Sequence, residues 1–379
     1  MSQRKLFEEV GEKGASARPL AETGAIARGQ RPPSLGLRLW LFVLFVMVAA
    51  MVIIGGLTRL TDSGLSITEW ALLKGTLPPM SAEAWQDAYA KYQASPEFQL
   101  QNNNMDLAGF KQIYWWEWGH RFLGRMVGLV WLVGFVFFWA SKRIPPGWAG
   151  RLFAIGVLGG AQGAIGWWMV SSGLSGRMVD VASYRLATHL GLAFIIFGLI
   201  AWYLLALRRN EAERMRARRA GEGGLRGLAS AALGLAFIQI LLGALVAGID
   251  AGRTFTDWPL MAGQFFPAGA FDLSPLWRNF FENPALVQFM HRIVAYTLIV
   301  FVLWVWLRAR RSPNPATRSA FTFAAIMVLM QAALGIVTLI YAAPLFAAIT
   351  HQIGAILTWV VLIAARHQAA YPVTQSIRG

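Results

Sequence analysis

The chain has 379 residues, 56% of them hydrophobic and only 14% charged, with seventeen tryptophans and a net charge of +15. A soluble domain of this length would carry about a quarter charged residues, so lipid is the solvent that this composition fits. The basic residues lie in short clusters between apolar runs, the pattern of cytoplasmic loops in a membrane protein and not of a nucleic-acid face. There is no cysteine, which excludes disulfides, thiolate-ligated iron, iron–sulfur clusters and the thioether attachment of c-type haem.

Residues 1–36 are polar and include Glu8, Glu9 and Glu12. They lack the apolar run of a secretory signal, and the acidic residues speak against a transit peptide, so a disordered cytoplasmic tail is expected. A membrane span needs about 20 apolar residues. Eight segments qualify, at 37–57, 121–141, 152–171, 186–207, 228–248, 289–307, 319–341 and 345–365. The expected fold is therefore all-α and integral to the membrane. If the N-terminus is cytoplasmic, inner segments hold 23 of the 34 Lys and Arg residues. This places both termini in the cytoplasm and the protein in the bacterial inner membrane.

The chain repeats internally. At a constant offset of 188, residues 55–79 match 243–267 at nine of 25 positions, Gly55/Gly243, Asp62/Asp250, Trp70/Trp258 and Pro79/Pro267 among them. Further on, His120-Arg121 matches His291-Arg292, Gln162…Gly166 matches Gln331…Gly335, and Thr188-His189 matches Thr350-His351. With four spans in each half, both halves enter from the same side, so the repeat is parallel. It predicts two pseudo-symmetric four-helix bundles, at 37–207 and 228–366. A basic linker at 208–227 joins them and a cytoplasmic tail at 367–379 follows.

Four of the five histidines, His120, His189, His291 and His351, fall at matching places in the two halves, at the outer ends of spans 2, 4, 6 and 8. Ionisable groups at membrane depth are rare and functional, and neutral imidazole is the usual ligand of haem iron. Two histidines at equal depth in one bundle make a bis-imidazole sandwich, so two haem sites are expected. His367 has no counterpart. Arg121, Arg125 and Arg292 stand beside the histidines, with Arg59, Arg185 and Arg253 near outer span ends. They are candidates for haem propionates by charge-assisted bonds, or they snorkel to the interface. Glu117 lies three residues before His120, on the same helical face if span 2 reaches that far; the matching residue before His291 is Gln288.

These motifs together resemble the haem A synthase family over about residues 35–368. The resemblance rests on Gly55-Gly56-Leu57-Thr58-Arg59-Leu60-Thr61 with Ser63-Gly64-Leu65-Ser66, and on Glu117-Trp118-Gly119-His120-Arg121. The run Met105…Phe110-Lys111…Tyr114-Trp115-Trp116, then Thr188-His189-Leu190-Gly191, His291-Arg292 and Thr350-His351-Gln352, complete it. The absence of cysteine departs from members with cysteine pairs in the outer loops and resembles the alphaproteobacterial and mitochondrial branch.

The resemblance implies an enzyme that oxidises the C8 methyl of haem O to a formyl group by two successive hydroxylations, giving the haem A of cytochrome c oxidase. His120 and His189 would hold haem O and later haem A, His291 and His351 would ligate a permanent haem b, and Glu117 would be a functional carboxylate, either proton donor or positioner. An electron donor such as a ferredoxin, and association with haem O synthase or with further copies of the chain, are implied only in this way. On the residues alone, a two-haem electron-transfer cytochrome b and a haem carrier remain alternatives.

Overall fold

The computed structural model describes residues 34–71, 74–176 and 178–373. Eight long helices are apolar enough to cross a membrane: α1 (Leu35–Leu60), α4 (Leu107–Ala140), α5 (Ala149–Gly173), α6 (Ser183–Ala206), α8 (Gly223–Gly248), α10 (Pro284–Ala309), α11 (Pro315–Ile340) and α12 (Leu345–Ala370). Between them lie the short helices α2 (Ala82–Gln93), α3 (Pro96–Leu100), α7 (Glu211–Arg219) and α9 (Asn279–Glu282). No strand occurs among the described residues. The expected all-helical membrane protein with eight spans is what the chain forms.

Local chemistry starts each helix where a cap is available. Ser34 accepts from Leu37 N, and Asp106 from Gly109 N. Asn283-Pro284 and Asn314-Pro315 each pair a capping asparagine with a proline at the first helical position, which needs no amide partner there. The helix opened by Asp106 is 34 residues long, about 51 Å at the α-helical rise, and exceeds the ~30 Å hydrocarbon core. It starts 14 residues before the expected span because its first turns carry Lys111, Gln112 and Glu117, which lower local hydropathy without breaking the helix. Two further boundaries differ from expectation. The 208–227 linker contains α7, opened by an Asn210–Glu213 capping box, and α12 runs on to Ala370, so His367 lies within it. All but residues 34–36 of the expected N-terminal tail lie outside the described residues.

Helix neighbours follow the repeat. α1 packs on α4 and α6, α4 on α5, and α5 on α6; α8 packs on α10 and α12, α10 on α11, and α11 on α12. Across the halves α6 meets α8 and α12, and α1 meets α12. One continuous core joins Leu37, Leu41 and Leu44 of α1 to Phe194, Phe197 and Ile200 of α6 and to Leu362 and Ile363 of α12. An unpaired donor is costly in lipid, and three tryptophans of the spanning helices find carbonyls. Trp40 donates to Val130 O (2.9 Å), Trp131 to Leu152 O (3.0 Å) and Trp359 to Phe194 O (3.1 Å). Gly134, Gly156 and Gly198 give these indoles room on the facing helices. At the α1–α12 seam Gln352 donates to Val52 O at 2.5 Å, its amide lying over Gly56.

Between α1 and α4 the chain builds a small aromatic body. Tyr92, Phe110 and Tyr114 are its buried centre, with Trp85, Tyr89, Phe98 and Met105 packed around them. It sits at the end of the protein where the histidines lie.

Candidate functional site

The four matching histidines share one construction. Each imidazole lies against a glycine on the preceding long helix: His120 on Gly55, His189 on Gly166, His291 on Gly243 and His351 on Gly335. A Cβ at these glycines would stand 2.8, 2.9, 3.2 and 3.0 Å from the respective Cε1 atoms, the first two closer than packed atoms tolerate and the other two tight enough to push the ring aside. The glycines are thus the floors of four ring-shaped niches. His120 and His189 lie near enough for their charges to interact, and so do His291 and His351. The histidines thus associate in two pairs, one per half.

Three of the four imidazoles also meet a glutamine one helical turn before the glycine. Gln162 Nε2 lies 3.1 Å from His189 Nδ1 and donates to His189 O at 2.9 Å. Gln331 does the same to His351, at 3.2 and 2.9 Å. Gln239 Nε2 lies 3.0 Å from His291 Nδ1. At the fourth position the residue is Met51, and His120 Nδ1 has no hydrogen-bond partner among the described residues. The Gln-x-x-x-Gly spacing was visible in the sequence for residues 162–166 and 331–335. Its recurrence at 239–243, with Met51 standing in its place at 51–55, is the signal that sequence reasoning missed.

Glu117 is 3% exposed, and α4 extends far enough to carry it one turn before His120. Its Oε2 accepts from Ser66 Oγ (2.7 Å) and Ile67 N (2.7 Å), and its Oε1 accepts from Arg121 Nε (3.0 Å) and Nη2 (2.6 Å). Arg121 then donates to Ile67 O (2.7 Å) and Glu69 O (2.8 Å). Gln288, 2% exposed, serves the same segment of the other half with reversed polarity. It donates to Ala251 O (2.8 Å) and Phe255 O (3.1 Å) and accepts from Arg292 Nη2 (3.2 Å), while Arg292 reaches Phe255 O (3.1 Å) and Leu260 O (2.8 Å). Ile67 and Phe255 are related by the repeat offset. Each half therefore clamps the loop after its first span to the helix bearing its first histidine.

The arginines singled out from the sequence all engage the chain itself. Arg125 donates to Ala71 O (3.0 Å), and Arg185 to Trp168 O (2.6 Å) while lying over the Trp168 ring. Arg253 pairs with Asp250 at 3.6 Å. Arg59 joins the two halves, contacting Asp62 (2.7 Å), Asp180 (3.7 Å) and Asp250 (2.9 Å). Hydropathy gave no hint of Glu97, which is 2% exposed within the aromatic body. Burial, and then the charges of Glu117, Asp180 and Asp62, push its carboxyl up to about 8. His367 lies at the opposite end of the helices from the four paired histidines, against Trp202 and Tyr371.

Eight membrane-crossing helices with two pairs of glycine-seated histidines at one end define a multi-pass membrane protein with an imidazole-lined centre in each half. The chain belongs to the COX15-CtaA family, described as cytochrome oxidase assembly protein, whose sequence model matches residues 38–363. It is 58% identical over 379 residues to "Heme A synthase" of Paracoccus denitrificans, covering 100% of this chain and 99% of that one. Proteins of the same name from Dinoroseobacter shibae and Ruegeria pomeroyi are 58% and 56% identical, covering 100% of this chain and 98% and 100% of theirs.

Proposed function

We propose that the chain is a haem A synthase, oxidising the C8 methyl of haem O to the formyl group of haem A by two successive hydroxylations. The observation that carries this reading is the fourfold histidine niche, arranged as two pairs and made unequal by Glu117 against Gln288. A bis-imidazole haem site calls for two facing imidazoles and flat, small-residue surroundings, and the glycine floors supply the second condition where a Cβ would fill the space. In this reading the helix contacts resolve into two four-helix bundles. His120 and His189 hold haem O as substrate, and His291 and His351 are the ligands of a resident haem b, which when bound supplies one-electron transfer.

The chain's own residues hold the surroundings in place. Glu117 acts as a positioning residue, since all four of its hydrogen bonds go to the loop and to Arg121. Arg121 and Arg292 act on the sites through the loop segments they hold, and Arg125 through the Ala71 carbonyl beside them. The basic ends opposite the histidines support a reading with cytoplasmic termini and with the histidines toward the outer face of the inner membrane. An external electron donor, of which a ferredoxin is one kind, and an association with the enzyme that makes haem O complete the proposal. Chromatography of the haem extracted from purified protein tests it. Haem O, haem A or the hydroxylated intermediate beside haem b is the expected result; haem b alone at both sites overturns it in favour of an electron-transfer cytochrome.

A further inference from the structure

The four niches are copies of one design with a single substitution. Gln162, Gln239 and Gln331 each stand four residues before the glycine under an imidazole and reach that imidazole. Met51 stands in the same place before Gly55. Its Cε lies 3.6 Å from the position of a Cβ on Gly124, one turn beyond His120, so it faces the His120 helix as the glutamines face theirs. We infer that Met51 makes His120 the labile ligand of the substrate site, whereas glutamines hold the other three histidines to iron. This rests on the reading of His120 and His189 as the substrate ligands.

The reasoning is chemical. An imidazole bound to a metal through one nitrogen carries a proton on the other, and an acceptor for that N–H fixes the ring and strengthens it as a ligand. Oε1 of Gln162, Gln239 and Gln331 is buried and without a partner. Rotation of the Gln239 amide brings an acceptor to His291 at no loss elsewhere; at Gln162 and Gln331 the same rotation exchanges the bond to the histidine carbonyl for one to the ring. A thioether is a weak acceptor, and a niche inside the membrane has no water to replace it. Loss of such an outer partner typically lowers metal affinity by about 10–100-fold. The arrangement suits a site that must release one axial position and finally its product, while keeping a firm grip through His189. The second half, with both glutamines, has no such weak side.

The test is carbon monoxide binding to the reduced, haem-loaded, full-length protein, with electron paramagnetic resonance of the oxidised form reporting axial ligation. In the wild type one haem population should bind carbon monoxide. Met51→Gln should lower that affinity by about 10–100-fold at unchanged haem content. Met51→Leu, which removes the sulfur without adding an acceptor, should keep wild-type binding. Gln331→Met should make the second haem reactive as well. Equal carbon monoxide affinity in the wild type and Met51→Gln overturns the inference while leaving the site reading intact. Unchanged haem content and spectra in both His120→Ala and His189→Ala overturn the site reading itself, and the inference with it.

Discussion

Replacing Glu117 with glutamine separates a positioning role from a proton-donating one. The carboxylate offers two oxygens to four donors, Ser66 Oγ, Ile67 N and two nitrogens of Arg121. An amide has one oxygen, so whichever side its nitrogen takes meets two donors. Facing the loop, it leaves the Ile67 amide unsatisfied, at about 1–3 kcal/mol; facing Arg121, it removes charge-assisted bonds of about 1.5–3 kcal/mol each. In both orientations Arg121 also loses its carboxylate partner, so the total is about 3–5 kcal/mol, as for a buried ion pair broken on one side. At about 1.4 kcal/mol per tenfold, the open form of the loop should rise a hundredfold or more. Hydrogen exchange of residues 63–70 in lipid nanodiscs should accelerate accordingly, with haem A yield falling in the same variant. Arg121→Gln should do the same, and the double variant should lose less than the sum. The positioning argument fails if Glu117→Gln abolishes haem A formation while exchange in 63–70 stays at the wild-type rate.

Alanine at Gly55, Gly166 or Gly335 should displace the facing imidazole and lower haem content measured as the pyridine haemochrome; Gly243→Ala, with the widest spacing of 3.2 Å, should be mildest. Glu97 stays protonated in the fold until about pH 8 but ionises in the unfolded chain near the ordinary carboxylate value. The fold therefore binds more protons between these values and its stability falls as pH rises through them. Protease protection of residues 61–106 should weaken across that range, and Glu97→Gln should flatten the profile, gaining on the order of 3 kcal/mol at pH 7. Gln352→Leu removes the polar tie to Val52 O and should lower the thermal midpoint in detergent while leaving haem content unchanged. His367→Ala should leave haem content and spectra unchanged.

The eight spans and the pairing of histidines by repeat were legible because both depend on long, regular signals: runs of apolar residues and a constant offset of 188. The early start of α4 was not, because Lys111, Gln112 and Glu117 depress hydropathy there. What makes that stretch helical is the Asp106 cap and the aromatic face it buries against Tyr92 and Trp85. The partners of Glu117 and of the arginines were likewise out of reach, since Ser66, Ile67 and Ala71 meet α4 only after the loop has folded back. Burial of Glu97 depends on the same folding.

The internal repeat shows the architecture through its matches and the chemistry through its mismatches. Gly55 and Gly243 match because both must lie flat under an imidazole, a demand common to the two halves. Glu117 and Gln288 differ, yet each holds the same loop segment, so that difference changes charge and hydrogen-bond direction without changing the architecture. Met51 and Gln239 differ with nothing to compensate: one histidine loses its neighbour's amide, and no other side chain among the described residues supplies it. A duplicated fold under no pressure to divide its labour would have kept the glutamine, which fits the space and satisfies the ring. The half that lacks it is also the half with the charged clamp and the larger loop body, and these three departures lie around one histidine. Under the proposed function, the asymmetry at His120 falls in the half that would exchange and alter a haem, and the symmetric remainder in the half that would keep one.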